Sequence, residues 1–212
     1  MSKKYILAAI LIAASVIGGY SCMKSEGENQ NMSNKGALEY MEQRYGEKFE
    51  FIKSHGLHYS TNSRRIFVSC ESFPGEEILV NIVKDGKELK YYDNYMKYYF
   101  EEQVSDFIVN TAKNYFDDVT FKLNISATTL HSSINLTTTF DEYIRSKYYF
   151  VNGHLEVIGE SNEKTVSEFV TELVKLGIQF SVSINIPSVN EGYNTRHFDE
   201  DEEIYFRKRT LK

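Results

Sequence analysis

Ile178-Gln179-Phe180-Ser181-Val182-Ser183-Ile184-Asn185-Ile186 alternates apolar and polar side chains without a break. Successive side chains of a strand point to opposite faces, so a period of two describes a strand with one face buried and one wet. Val119-Thr120-Phe121-Lys122-Leu123-Asn124-Ile125 repeats the pattern. Half-wet strands belong to antiparallel or mixed sheets covered on one side. Further strands are predicted at Phe49–Ile52, Arg65–Glu71, Ile78–Lys84, Leu89–Tyr92, Leu155–Ile158 and Glu203–Arg207. Asp85-Gly86, between two of them, reads as a hairpin turn.

Helical spacing is as plain elsewhere. Met96, Tyr99, Phe100, Gln103, Val104, Phe107, Ile108, Thr111 and Tyr115 recur three and four apart and predict one long amphipathic helix from Asn94 to Phe116. Asn34 to Tyr45 predicts a first helix, with Leu38, Met41 and Tyr45 on one side. Thr139 followed by Glu142, and Thr165 followed by Glu168, have the capping-box spacing that opens a helix. Gly177 ends the second of these. Strands cluster early and helices later, which fits an α+β fold better than a regular βαβ series. The expected architecture is a twisted, mostly antiparallel sheet with helices packed on one face. Lys-Tyr-Tyr-Phe occurs at Lys97–Phe100 and again at Lys147–Phe150, each after an Asp-x-Tyr, and reads as chance recurrence in a chain with 16 Tyr.

The amino end is built differently. Lys3 and Lys4 precede the uncharged apolar run Tyr5 to Ile17, which gives way to Gly18-Gly19-Tyr20-Ser21-Cys22. Positive, then apolar, then small is the order of a secretory signal. The apolar run is marginal for a spanning helix, which needs about 20 residues. Ser21-Cys22 makes this segment resemble a bacterial lipoprotein precursor, in which a lipobox ends in the Cys that is lipidated and becomes the first mature residue. The resemblance implies lipidation at Cys22 and covers only the first 22 residues. Gly19 and Ser21 also fit ordinary signal-peptide cleavage, so secretion without lipid stays open, as does an uncleaved anchor. The polar stretch from Met23 to Lys35 reads as a tether. The expected organisation is a signal peptide over residues 1–21, a lipidated Cys and flexible tether over 22–35, and one α+β domain over 36–212.

The formal net charge is −6, and Lys3 and Lys4 leave with the leader. A chain of that sign has no electrostatic reason to bind nucleic acid. The sequence carries no Gly-rich phosphate loop, no His-Glu-x-x-His, no Cys pair at metal spacing and no Gly-x-Ser-x-Gly. His55-Gly56-Leu57-His58 has helical metal-pair spacing, but Gly56 argues for a loop. The acids from Asp199 to Glu203 after His197 lack the Gly of a tight calcium loop and read as solvated. Cys70 sits in an apolar run and reads as a small hydrophobe. No catalytic residue, metal ligand or cofactor is therefore assigned.

Pro187–Glu202 is expected to be a long polar loop between two strands, and loops on a rigid sheet commonly bind. Tyr193, Arg196, His197 and Phe198 are its candidate partner-binding residues. The expected protein is a lipid-anchored binding module on the outer face of the cell membrane, or a secreted one, with an envelope protein or glycan as partner. The rival reading is a secreted or tethered hydrolase of wall or nutrient polymers, which needs His131, His154 or His197 to meet carboxylates across the fold. A solute-binding component is a third reading, weakened by the lack of two matched lobes.

Overall fold

A computed structural model describes residues 32–198 and 203–211 of the chain. The leader, Cys22 and residues 23–31 of the expected tether lie outside the described residues. The folded part starts before residue 36: the Met32 carbonyl accepts from Arg64 Nη1 at 2.6 Å. Helix α1 runs Asn34–Tyr45, with the Gly36 N–H donating to the Ser33 hydroxyl at its start.

The α+β class stands, and its strands divide between two sheets. The first is an antiparallel meander of β1 (Phe49–Ser54), β2 (Ser63–Cys70), β3 (Ile78–Asp85) and β4 (Glu88–Asp93). Gly86, at φ 62°, makes the tight turn between β3 and β4 that its freedom from a Cβ allows. The second is β5 (Asp118–Leu123), β6 (Val151–Ile158), β7 (Phe180–Ile186), β8 (Glu191–His197) and β9 (Tyr205–Thr210), in that order. All its pairs are antiparallel except β6 with β7. A parallel pair needs a crossover, and helix α5 (Glu163–Lys175) supplies it.

Two elements differ from the sequence reading. Pro187–Glu202 is not one long loop: Pro187–Val189 is a 3-10 turn and Glu191–His197 is strand β8. Its inward residues are Tyr193, Thr195 and His197, whose polar tips hid the alternation. The long helix is broken into α2 (Tyr95–Tyr99) and α3 (Glu101–Ala112). The break falls at Phe100, whose φ −99° and ψ 4° leave the helical range. Phe100 is buried there, its ring stacked on that of Tyr143 at 4.5 Å. The break changes which side chains face inward. Tyr99 is exposed, whereas Lys97 is buried. Helix α4 (Phe140–Ile144) has the capping box expected at Thr139 and Glu142. The cap of α5 is Asn162 in place of Thr165, since the Asn162 side chain accepts from the Thr165 N–H.

One apolar core joins the helices to the inner faces of both sheets. It includes Ile66, Val68, Val80 and Ile82 from the first sheet, Leu155, Val182 and Ile184 from the second, and Val104, Ile108, Phe169 and Leu173 from the helices. Within it lies a carboxylate, Asp93, which is 4% exposed. Asp93 accepts from the phenols of Tyr40 at 2.8 Å and Tyr45 at 2.6 Å, and from the Tyr95 N–H at 3.0 Å. Arg44 Nε lies 3.5 Å from it. The Asp93 carbonyl accepts from Leu130 N at 2.7 Å, and Arg44 donates to the carbonyls of Ser132 and Ile134. A buried charge persists only when paired and hydrogen-bonded, and this set satisfies it. It clamps α1, the end of β4 and the connector after β5 together.

Removing the carboxylate strands two phenols and a guanidinium. Asp93→Ala is expected to cost about 3–5 kcal/mol of folding stability, against about 1 kcal/mol for Tyr40→Phe. Urea unfolding of both variants measures the difference, and equal costs would remove Asp93 from its central place.

Candidate functional site

The second sheet turns its other face to solvent. Register places Lys122, His154, Ser183, Asn194 and Arg207 in one row across the strands. Asn152, Ser181, Arg196 and Tyr205 form a neighbouring row, and Glu156, Asn185, Gly192 and Arg209 another. These are the outward residues that alternate with the core along each strand. Arg209 donates to Ser183 Oγ at 2.9 Å and Asn185 Oδ1 at 2.6 Å, and Asn185 Nδ2 lies 3.1 Å from His154 Nε2. Gly192 makes room for this: a Cβ there would come within 3.0 Å of Arg209 Cζ. Among the described residues Lys122, Arg196, Arg207 and Arg209 form no ion pair, although the chain as a whole is acidic.

The residues singled out in sequence are split by the strand they share. Tyr193 is fully buried, its hydroxyl donating to Glu191 at 2.6 Å and its ring 5.3 Å from that of Phe206. His197 also points inward, 6.2 Å from the ring of Phe180. Arg196 is on the polar face, its guanidinium 5.6 Å from the ring of Phe198 and 5.4 Å from that of Tyr205. Phe198 in turn meets Phe150 edge-on at 5.3 Å.

Phe150 leads from this face into a shallow cleft, with a volume of about 10 Å³, lined by Lys97, Leu123, Asn124, Ser126, Tyr149 and Phe150. Lys97, from α2, is 6% exposed. Its Nζ donates to Ser126 Oγ at 2.9 Å, Thr128 Oγ1 at 2.7 Å and the Ser126 carbonyl at 3.4 Å. Among the described residues no carboxylate pairs with it. Burial without a counter-charge pushes its amine down to about 8. The two Lys-Tyr-Tyr-Phe segments meet here, since the second supplies Tyr149 and Phe150 while its own Lys147 is exposed. Neither this lysine nor Ser126 stood out in sequence; a cation among the apolar positions of a helix was the only signal.

Among the described residues no ion pair joins a histidine to a carboxylate. His131 stacks on Tyr148 at 4.1 Å and bonds to Ser133, His154 meets Asn185, and His58 bonds to Ser60 and Thr61. Among the described residues no cluster of three or more His, Cys, Asp or Glu side chains gathers as a metal site would. Cys70 is a free, buried thiol, which burial pushes up to about 11. Among the described residues no helix is long and apolar enough to cross a membrane.

No protein-family model matches the chain. No curated protein matches it either. Among solved structures it is similar to a DUF5037 family protein from Ruminococcus gnavus ATCC 29149, with 14% identity and a TM-score of 0.40, over 72% of this chain and 73% of that one. Likeness at that level carries no argument about this chain.

The Lys97 amine has a readable consequence for stability. Unfolded, a lysine keeps its proton up to about pH 10.4; folded, Lys97 releases it at about 8. Between those values Lys97 makes the unfolded chain bind more protons, so its own contribution raises stability with pH, by at most about 1.4 kcal/mol per pH unit. The Cys70 thiol, raised by burial to about 11, offsets this rise from about pH 8.5 upward, and above pH 10 the phenols of Tyr40, Tyr45, Tyr143 and Tyr149, all raised by burial, turn it into a fall. Urea unfolding between pH 7 and 11 is expected to show the rise and the fall in the wild type, and only the fall in Lys97→Met.

Proposed function

We propose that the chain is a membrane-tethered, extracytoplasmic binding module that holds an anionic envelope glycan on the polar face of its second sheet. The observation that carries this is a set of cations on one face, Lys122, Arg196, Arg207 and Arg209, which form no ion pair among the described residues and stand among Ser, Asn and His side chains on an acidic protein. Guanidinium groups pair bidentately with carboxylate and phosphate. Ser181, Ser183, Asn194 and His154 offer donors and acceptors for sugar hydroxyls. The rings of Tyr205 and Phe198 flank Arg196 and give a pyranose a flat apolar wall. The leader and the Cys22 lipid supply the address and the tether in this reading.

The hydrolase reading that relied on a histidine and a carboxylate has no such pair to support it among the described residues. The uncovered face favours binding.

Full-length protein extracted from membranes should have a mature chain starting at a diacylglyceryl Cys22. It should bind poly(glycerol phosphate) or polygalacturonate more tightly than neutral dextran, and lose affinity as salt rises. Replacing Arg207 and Arg209 together by Gln should weaken binding tenfold or more, at about 1.5–3 kcal/mol for a hydrogen bond to a charged group. A chain starting at Met1 overturns the tether, and equal binding of dextran overturns the glycan face.

A further inference from the structure

We propose that Ser126 and Lys97 are a nucleophile and general base for hydrolysis of small acyl esters, an activity separate from the binding face. The pair is built by the fold. Lys97 stands on α2 at the end of a helix that Phe100 breaks, and Ser126 stands on the connector after β5. Their reacting atoms are 2.9 Å apart. Lys97 is sunk under the connector, while Ser126 is half-buried at the cleft, so the hydroxyl is the member that a ligand can reach. A base behind a partly open nucleophile is the arrangement activation requires.

The chemistry balances with these groups and water. The neutral Lys97 amine accepts the hydroxyl proton as Ser126 Oγ bonds to the ester carbonyl carbon. The tetrahedral oxyanion collapses and expels the alcohol, which takes the proton from the Lys97 ammonium. Water then adds to the acyl-Ser126 ester, giving its proton to the same amine, and the carboxylic acid leaves as the Ser126 hydroxyl is restored. Thr128 Oγ1, 2.8 Å from Ser126 Oγ, is the hydroxyl at hand to donate to the oxyanion. Leu123, Tyr149 and Phe150 line the shallow cleft beside Ser126 and offer an acyl chain an apolar surface to lie against.

The base is available at moderate pH because burial alone holds its proton loosely; no charged neighbour contributes. The groups facing it are the Ser126 and Thr128 hydroxyls, the Ser126 carbonyl and, across the cleft, the Tyr149 phenol, which burial keeps protonated. Glu101, on the following helix, acts on Tyr149 and not on Lys97.

The test is covalent labelling of the full chain by a biotinylated fluorophosphonate between pH 6 and 9.5, read by intact mass and peptide mapping. The expected result is a single adduct on Ser126, with a rate climbing nearly tenfold per pH unit and levelling above about pH 8. Ser126→Ala should abolish the adduct and Lys97→Met should slow it at least 100-fold, with p-nitrophenyl acetate hydrolysis falling in parallel. Circular dichroism confirms that each variant folds, and the wild-type result stands without them. No adduct on the folded wild type at pH 9, or one equally fast in a folded Lys97→Met, overturns the proposal, since a lysine that only pins the connector leaves Ser126 inert.

Discussion

A carboxylate in an apolar core forces its surroundings to answer it. Asp93 does so at the point where β4 hands the chain to α2. Tyr40 and Tyr45 come from α1, the Tyr95 N–H from the next residue but one, and Arg44 stands close by. The phenols do more than donate: Tyr45 stacks on Tyr95 at 3.8 Å and Tyr40 on Tyr91 at 5.0 Å, so the hydrogen bonds lie inside an aromatic seam. Burial shields these bonds from water and makes an unanswered group costly. The first helix is thereby fixed to the first sheet by polar geometry as well as by Ala37 and Met41 in the core.

The same cluster reaches the connector between β5 and α4. That connector has little regular structure, and a long stretch of this kind must find partners for its backbone groups. Arg44 and the Asp93 carbonyl provide them at Ser132, Ile134 and Leu130. Holding the connector there also holds Ser126 and Thr128 over Lys97. The candidate catalytic pair thus depends on a carboxylate that touches neither of its members. The cleft and the polar face adjoin through Asn124, beside Asn152 in the sheet, and through Phe150 against Phe198.

Much of the architecture could be read from short-range pattern. The alternation in Phe180–Ile186 is the strand β7, with its Ser and Asn on the wet face as expected. Helix α1 and the Thr139 capping box likewise depend on neighbours a few residues apart. Strand β8 escaped because its inward residues are Tyr193, Thr195 and His197, side chains with polar tips, and because Gly192 interrupts the count. Gly192 is there for Arg209, which lies across it from β9. The helix break at Phe100 escaped because the Tyr143 ring on which Phe100 stacks is far along the chain.

Periodicity is a local property, since side chains two apart in a strand or three and four apart in a helix share a face whatever the rest of the chain does. That is why element type and the half-wet sheet were legible in the residues alone. Which cations share a face, and which serine meets the buried lysine, depend on strand order, register and the path of a connector. Those are settled by long-range pairing, where one residue of slip would turn every outward arginine inward.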